Sequence, residues 1–414
     1  MSPLELVTDL LGIQGWGVVR DGVTISEQGV CLRIERTAGS VLECGGCGAR
    51  GCRAYDHKRR RVRDFGVWGR RCSLEFDEAR VMCESCGVMT ERLHWLEPCQ
   101  RQTLRYERFV ARLCGLLPVL DVARLEGLDK GTVYRLDKKW LVRRTQEFEA
   151  RRLERPVRYL GIDEIALKKG HQYATVFYDL ERREVIGLVK GRKERAVSSF
   201  FRRRGRLWCR QVQAVCMDLW RAFFNSVRRH LPKAAVVFDK FHVFSYLSAA
   251  LDQVRRFEQN QADAQGKRLL KGARWLLLKS HQRLRRKQKQ ELQELMELNQ
   301  NLLLGHLLKE EFAQFYECAD AQGAQGFLEA WIQRCHNSGL APFVKLAKRI
   351  QRWSQGLLAY FQHAITNGIS EGLNNKIKVL KRRSYGFHDF EYFALKILDA
   401  TGALTKMQTF THSF

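Results

Sequence analysis

VRYLGIDEIAL, residues 157–167, is an apolar run of strand length with one carboxylate, Asp163, at its centre. Upstream of Pro156 the pattern is helical; from here it becomes strand-rich. HQYATVFYDL (171–180) and REVIGLVKG (183–191) read as two more strands, joined by a short turn at Glu181-Arg182-Arg183. ERAVSSFFRRRG (194–205) reads as a helix. VQAVCMD (212–218) is nearly continuous in apolar residues, hence a buried strand, and ends at Asp218. LWRAFFNSVRRHLP (219–232) is an amphipathic helix, and AAVVFD (234–239) is a second buried strand ending at Asp239.

Three strands, helix, strand, helix, strand is the order of the ribonuclease H-like fold. In that mixed sheet the first and fourth strands lie side by side, so Asp163 and Asp218 are expected to converge. A third carboxylate is expected from a helix packed on the sheet, and ISEGLNNKIKVLKRRSYGF (369–387) offers Glu371. On a helix, Glu371, Asn374, Asn375, Lys378 and Arg382 share one stripe, while Leu373, Ile377 and Leu380 face the sheet. Such a stripe is ordinarily a solvated helix face; the two upstream aspartates tip it toward metal and DNA phosphate. In-line phosphodiester cleavage or transfer needs an activated water or 3′-hydroxyl and a stabilised leaving oxygen, and two Mg²⁺ (or Mn²⁺) ions roughly 3.5–4 Å apart do both. Hard cations take oxygen ligands, which Asp163, Asp218 and Glu371 supply. Glu164, next along the strand, should point to the opposite face, and Asp179 is expected to be structural. Residues 246–361 read as all-helical; Leu292, Leu295, Met296, Leu302 and Leu303 keep one apolar face.

Before the strands, residues 16–36 (WGVVRDGVTISEQGVCLRIER) alternate with glycine punctuation, as short antiparallel strands do. Cys44-Gly-Gly-Cys47 and Cys83-Glu-Ser-Cys86 follow. Two such knuckles complete a tetrahedral Zn²⁺ site, and Gly48 and Gly87 permit the turns they need. Buried structural cysteines would not need two matched spacings; Cys52, Cys72 and His57 are substitute ligands near at hand. The gap between the knuckles holds alternating stretches fit for a hairpin and a basic run, His57 to Arg63. That run is either a solvated charge strip or, through Arg59, Arg60, Arg61 and Arg63, a phosphate-contacting one. In VLDVARLEGLDKGTVYRLDKKWL (119–141) a short helix stops at Gly127 and Asp129 caps the next, which turns Val133, Leu136 and Trp140 inward. This is a helix-turn-helix pattern, with Lys130, Thr132, Tyr134, Arg135 and Lys138 presented to a groove, although plain helical bundles contain such pairs too.

The chain has 72 Lys and Arg against 45 Asp and Glu, a formal charge of +27 over 414 residues. That excess calls for a polyanionic partner. A membrane span is excluded, because no window of about 18 apolar residues exists. The first residues, MSPLELVTDLLGIQGWG, lack the basic start and apolar core of a signal peptide. Thirteen cysteines, some within apolar stretches (Cys114, Cys216), suit reduced thiols in a cytoplasm.

GIDEIALKKGHQYATVFYDL (161–180), CMDLWRAFFNSVRRHLPKAAVVFDKFHV (216–243) and SEGLNNKIKVLKRRSYGF (370–387) closely resemble transposases of the ISL-three group of bacterial insertion sequences. The zinc knuckles and helix-turn-helix match that group's layout, and the resemblance covers the chain from about residue 40 onward. It implies Asp163, Asp218 and Glu371 as the catalytic acids. It also implies an orienting or DNA-contacting role for His242 in Asp239-Lys-Phe-His242, outside the metal ligands, and a helical insertion before Glu371. Trp275, in GARWLLLKS, is a base-stacking candidate by position, although a tryptophan in such a run ordinarily packs in a core. A rival assignment makes Asp239 the second acid and Asp218 a helix cap. The implied architecture is α+β and multidomain. It comprises a β-rich zinc module (1–98), a helix-turn-helix (99–152), a ribonuclease H-like core (153–245 and 362–414) and an all-α insertion (246–361). The implied function is recognition of terminal inverted repeats in double-stranded DNA, then metal-dependent cleavage and strand transfer, normally by a dimer or larger assembly. A transposase-derived repressor or inactive copy would share everything except a working triad. A structure-specific nuclease would not need the upstream DNA reader.

Overall fold

Within residues 3–67, 69–150, 153–168, 172–279 and 284–402, which the computed structural model describes, the chain falls into two units that divide after Arg144. In the first, helix α1 (Pro3–Leu11) precedes strands β1 (Trp16–Ser26), β2 (Gly29–Arg36), β3 (Arg53–Val67), β4 (Arg70–Cys83) and β5 (Gly87–Thr90). The sheet order is β1-β2-β4-β3, with β5 also on β4. β1 and β2 are antiparallel, as the alternation in 16–36 predicts, and β2 runs parallel to β4. Val30, Leu32 and Ile34 alternate along β2, and Cys72, Leu74 and Phe76 along β4; together with Trp16 and Leu96 they form one core. Cys72 therefore belongs to this core and is not a substitute ligand at the knuckles. β3 and β4 are the expected hairpin between the knuckles, and their antiparallel pairing sets Arg53 opposite Met82.

Helices α2 (Leu104–Leu116), α3 (Val119–Glu126) and α4 (Lys130–Ala150) follow. Gly127 ends α3 in the left-handed region. Asp129 Oδ2 accepts the Thr132 N–H at 3.0 Å, the N-cap read from the sequence. Tyr106, Val110 and Cys114 of α2 bury against Val122 and Ala123 of α3 and Val133 and Leu136 of α4. Glu107 is fully buried on α2 and meets Lys139 Nζ at 2.6 Å; Lys139 also reaches Glu97 at 2.5 Å. Burial raises the Glu107 pKa, and the Lys139 hydrogen bond works against that rise. Removing one partner of a buried pair costs about 3–5 kcal/mol because the other charge is stranded. Lys139→Met should therefore destabilise α2–α4 by that amount. Glu107→Leu combined with Lys139→Met should recover most of it, read by urea unfolding and by exchange protection of α2.

The second unit is built on β6 (Tyr159–Lys168), β7 (Gln172–Asp179), β8 (Glu184–Lys190), β9 (Ala214–Met217) and β10 (Ala235–Phe238), in the order β10-β9-β6-β7-β8. β6, β7 and β8 are antiparallel neighbours, while β9 is parallel to β6 and β10 parallel to β9. α5 (Glu194–Arg204) and α6 (Arg206–Cys209) connect β8 to β9, and α7 (Arg221–His230) connects β9 to β10. The β7–β8 turn is held by Asp179, whose buried Oδ1 accepts the N–H groups of Glu181 and Arg182, each at 3.0 Å. Asp179 is thus the structural acid expected.

From β10 the chain is helical: α8 (Lys240–Gln261), α9 (Ala264–Gly272), α10 (Arg274–Leu278), α11 (Arg286–Leu298) and α12 (Gln300–Glu311). A 3-10 turn (Phe312–Glu317) leads to α13 (Ala321–Asn337), α14 (Ala341–Arg352), α15 (Ser354–Leu358) and α16 (Tyr360–His363). α17 (Gly368–Arg383) and α18 (Phe390–Ala400) return to the sheet, and a continuous core links it with the helices. The single apolar face read through 292–303 is broken at Asn299, whose side chain caps α12 through Leu302 N at 2.9 Å. The break resets the helical phase, so Leu302 is buried and Leu303 exposed.

Candidate active site

The sheet register decides the site. Ile162 of β6 pairs with Met217 of β9, so Asp163 and Asp218 emerge side by side, one residue farther along two parallel strands. Asp163, Asp218 and His242 each place a ligand atom within 4.8 Å of the others. His242 comes from the first turn of α8, where its N–H donates to Asp239 O at 3.1 Å, and its Nε2 lies 2.7 Å from Asp218 Oδ1. Among the described residues no Lys or Arg pairs with either carboxylate. Two converging acids with no Lys or Arg paired to either among the described residues fit a bound divalent cation, and oxygen ligands suit a hard one.

Burial raises the Asp218 pKa. The His242 hydrogen bond and charge pull it back, and the Asp163 charge raises it further. Burial of the His242 ring opposes its protonation, but Asp218, Asp239 and Asp163 together raise its pKa above the ordinary value. Asp239, 2% exposed, accepts the Asn367 N–H at 3.2 Å. Its pKa is raised by burial, against the pull of that bond. Asp239 thus sits behind the cluster while Asp218 faces Asp163, a geometry that weighs against the rival assignment.

α17 contributes to the site through residues other than the expected one. Asn374 Nδ2 donates to Asp163 Oδ2 at 2.8 Å, and Ser370 Oγ, whose one proton is shared between Asn367 O at 2.6 Å and that same carboxylate oxygen at 3.1 Å, lies beside it. Tyr178 OH donates to Asn374 Oδ1 at 2.7 Å, fixing which way the amide points. Asp163 Oδ1 accepts the Glu164 N–H at 2.7 Å. Just before α17, Asn367 Nδ2 donates to Ile162 O at 3.1 Å, tying the helix start to β6. Ser370 and Asn374 are buried, so Asn374 leaves the solvent stripe in which the helical wheel places it. Glu371, Asn375, Lys378 and Arg382 do form an exposed stripe. Glu371 follows Ser370 directly but is not in the Asp163–Asp218–His242 cluster. The signal for Ser370 and Asn374 is their four-residue spacing, one turn apart beside Ile377. Outer residues that orient a metal-binding carboxylate are typically worth 10–100-fold. Asn374→Ala should therefore lower metal-dependent cleavage about 10–100-fold and weaken metal activation. Asn374→Asp, which sets a second carboxylate on Asp163, should be worse than alanine, and a titration of activity against Mn²⁺ separates the two.

Glu164 turns to the other face, as expected, where its carboxylate oxygens meet Arg192 Nη1 at 3.0 and 3.1 Å.

In the first unit Cys44, Cys47, Cys83 and Cys86 gather within 4.8 Å. The β3–β4 hairpin folds the second knuckle back onto the first, and Cys47 Sγ lies 3.5 Å from Cys83 Sγ. Gly48 (φ +80°) and Gly87 (φ +71°) occupy the left-handed region just past each knuckle, where side-chain-bearing residues are strained. The N–H groups of Cys86 and Ser85 aim at Cys83 Sγ and lower its pKa to about 7. Four converging thiols with backbone donors on one of them fit a zinc ion. Cys52 is adjacent but outside the set, with its Sγ on Ala49 O.

The basic run has internal partners. Arg60 pairs with Glu78 at 2.5 Å, Arg59 with Asp77 at 3.2 Å, and Arg61 donates to Ser73 Oγ at 2.8 Å. Arg63 lies over the Tyr106 ring at 5.4 Å. On α4, Lys130 and Arg135 are exposed, and Thr132, Tyr134 and Lys138 are half-buried. Trp275 is 69% exposed, with Arg274 over its ring, which overturns the expectation of core packing.

Residues 160–397 match the family described as "Transposase", and residues 91–141 match the "Helix-turn-helix domain of transposase family ISL3". The transposase for insertion sequence element IS1001 of Bordetella parapertussis is 36% identical over 407 residues, covering 96% of this chain and 98% of the relative. The transposase for insertion sequence element IS1557 of Mycobacterium tuberculosis is 27% identical over 441 residues, covering 97% and 96%. All of these matches point to one class of protein, the transposase. The chain belongs to the ISL3 family of insertion-sequence transposases, and its helix-turn-helix implies DNA binding. No described helix is long and apolar enough to cross a membrane.

Proposed function

We propose that this transposase binds the terminal inverted repeats of its element and cuts and joins DNA at their ends. Asp163, Asp218 and Glu371 would hold Mg²⁺ or Mn²⁺. The observation that carries this is the convergence of Asp163 and Asp218 at adjacent parallel strand ends, with no Lys or Arg paired to either among the described residues. The bound ions would activate the attacking oxygen and stabilise the leaving one. The protein's own part is orientation. Asn374 and Ser370 hold Asp163, and His242 holds Asp218. Glu371 supplies the third carboxylate from the same helix turn as Ser370, along an exposed stripe whose Asn375, Lys378 and Arg382 contact phosphate.

The strand order supports a ribonuclease H-like reading of the second unit, with residues 246–361, from within α8 to within α16, as the helical insertion. In the first unit, zinc on the four cysteines would rigidify the module. Lys130, Thr132, Tyr134, Arg135 and Lys138 would read the repeat, and Arg61 and Arg63, with Arg59 and Arg60 once released from their ion pairs, would contact phosphate. We read the working form as a dimer or larger assembly, and its place as the cytoplasm with the nucleoid.

The test is strand cleavage of a labelled duplex carrying the terminal repeat and its flank, with and without Mg²⁺ or Mn²⁺ at low salt. Metal-dependent nicks at the repeat boundary are expected. Tight binding with no nick would assign the chain to DNA binding without catalysis.

A further inference from the structure

On the face of β6 to which Glu164 turns, opposite Asp163, the second unit carries a hollow of about 840 Å³ that the cleavage chemistry leaves unused. Its floor is a sandwich. The Arg192 guanidinium lies 4.1 Å from the Tyr173 ring centroid and 5.1 Å from that of Trp220, and Glu164 anchors it from behind. Trp220 leaves 44% of its surface exposed, which core packing does not explain. Its backbone is held nonetheless, because its N–H donates to Asp218 O at 2.7 Å. The rim is cationic. Lys190, Lys193, Arg195 and Arg202 line it, and among the described residues none has a carboxylate partner. The one acid of the lining, Glu194, is held by Arg229 at 2.9 Å. A second hollow of about 580 Å³ shares Lys190 and Arg202 and runs on to Arg203 and Phe390.

We propose that this hollow binds an unpaired nucleotide of the DNA strand that passes the carboxylates. Its base would stack on Trp220 and its phosphates lie on the cationic rim. This rests on the reading of Asp163 and Asp218 as the cleavage site. Aromatic faces and an arginine plane take bases of any sequence, and unpartnered cations take the backbone. A paired base cannot offer its face, so the nucleotide must be unstacked or already single-stranded. Both ends of the sandwich are tied to the candidate acids, since Trp220 follows Asp218 by two residues and Arg192 is held by the residue after Asp163. The nucleotide would therefore lie at the strand ends that carry the acids, across the sheet edge from Asp163, which favours a strand of the bound DNA over a free nucleotide of the same chemistry.

The experiment uses the full chain with repeat duplexes that end at the element boundary in a short single-stranded tail, the tail being either normal or abasic. Wild type should bind the normal tail about 10–100-fold more tightly than the abasic one, the range expected for stacking one base. Trp220→Ala should remove that ratio and Trp220→Phe should keep part of it. Because a ratio is read within each variant, a partly unfolded preparation does not imitate the result. No base preference in wild type, or the same preference in Trp220→Ala, overturns the proposal. Competition by deoxyadenosine monophosphate as strong as by the tail also overturns it, assigning the hollow to free nucleotides. Absence of metal-dependent nicking by wild type would fell the cleavage reading itself, whereas nicking without base preference fells the hollow alone.

Discussion

Asp163→Asn should abolish metal-dependent cleavage at the repeat boundary and leave repeat binding near wild type. The expected loss is about 10³-fold or more, the scale set by removing one preorganised electrostatic contact from an active site. Asparagine is nearly isosteric, but its amide has one oxygen where the carboxylate has two. The acid now accepts Glu164 N–H on Oδ1 and Asn374 Nδ2 on Oδ2, with the Ser370 hydroxyl 3.1 Å from the second oxygen. An asparagine must turn its NH₂ toward one of these donors, so the side chain loses a partner as well as the charge that holds a cation. Binding is spared because the helix-turn-helix core lies in residues 106–136, in the first unit. Asp218→Asn should match it in cleavage, while Asp239→Asn should act chiefly through stability, because Asp239 is buried and occupied by Asn367. Glu371→Gln is the sharper comparison. A loss equal to that of Asp163→Asn makes it the third acid; near-normal cleavage by Glu371→Gln leaves His242 to complete the set. Near-normal cleavage by Asp163→Asn would refute the site altogether.

What could be read beforehand was what depends on near neighbours along the chain. The alternating and continuous apolar runs of 157–239 specify their strands, and pairing the first with the fourth brings Asp163 to Asp218. The caps at Gly127 and Asp129 are local and equally legible. Interactions that depend on register or on distant partners were not. Asn374 lies on the border between the polar stripe and the Leu373–Ile377–Leu380 face of α17. It is drawn under by Tyr178, 196 residues away, which no helical wheel contains. The strip from Arg59 to Arg63 shows its charge in the sequence, but its pairing with Asp77 and Glu78 exists only once β3 and β4 are in register. Trp275 illustrates the reverse error. An apolar run suggested burial, yet α10 is only five residues long, and it buries Leu277 while exposing the indole.

Removing zinc should unfold one end of the first unit while the other end holds. The cysteine cluster rests on a small core of its own, Cys44, Ala79, Val81 and Cys83, separate from the core that contains Trp16 and Phe76. Four short side chains bury too little apolar surface to order two knuckles, since a buried methylene contributes only about 0.8 kcal/mol. Structural zinc contributes an apparent 10–16 kcal/mol near neutral pH, so at this end the ion outweighs the core by a wide margin. At the other end Trp16, Phe76 and Trp95 pack edge to face with centroids 4.9–5.5 Å apart and need no metal. Chelation, or Cys83→Ser, should release one zinc per chain and erase hydrogen-exchange protection in residues 43–54 and 79–92. Protection of β1 and β2 should survive. A metal-free preparation with the same exchange pattern as the untreated protein would show that the four thiols are packing residues and nothing more.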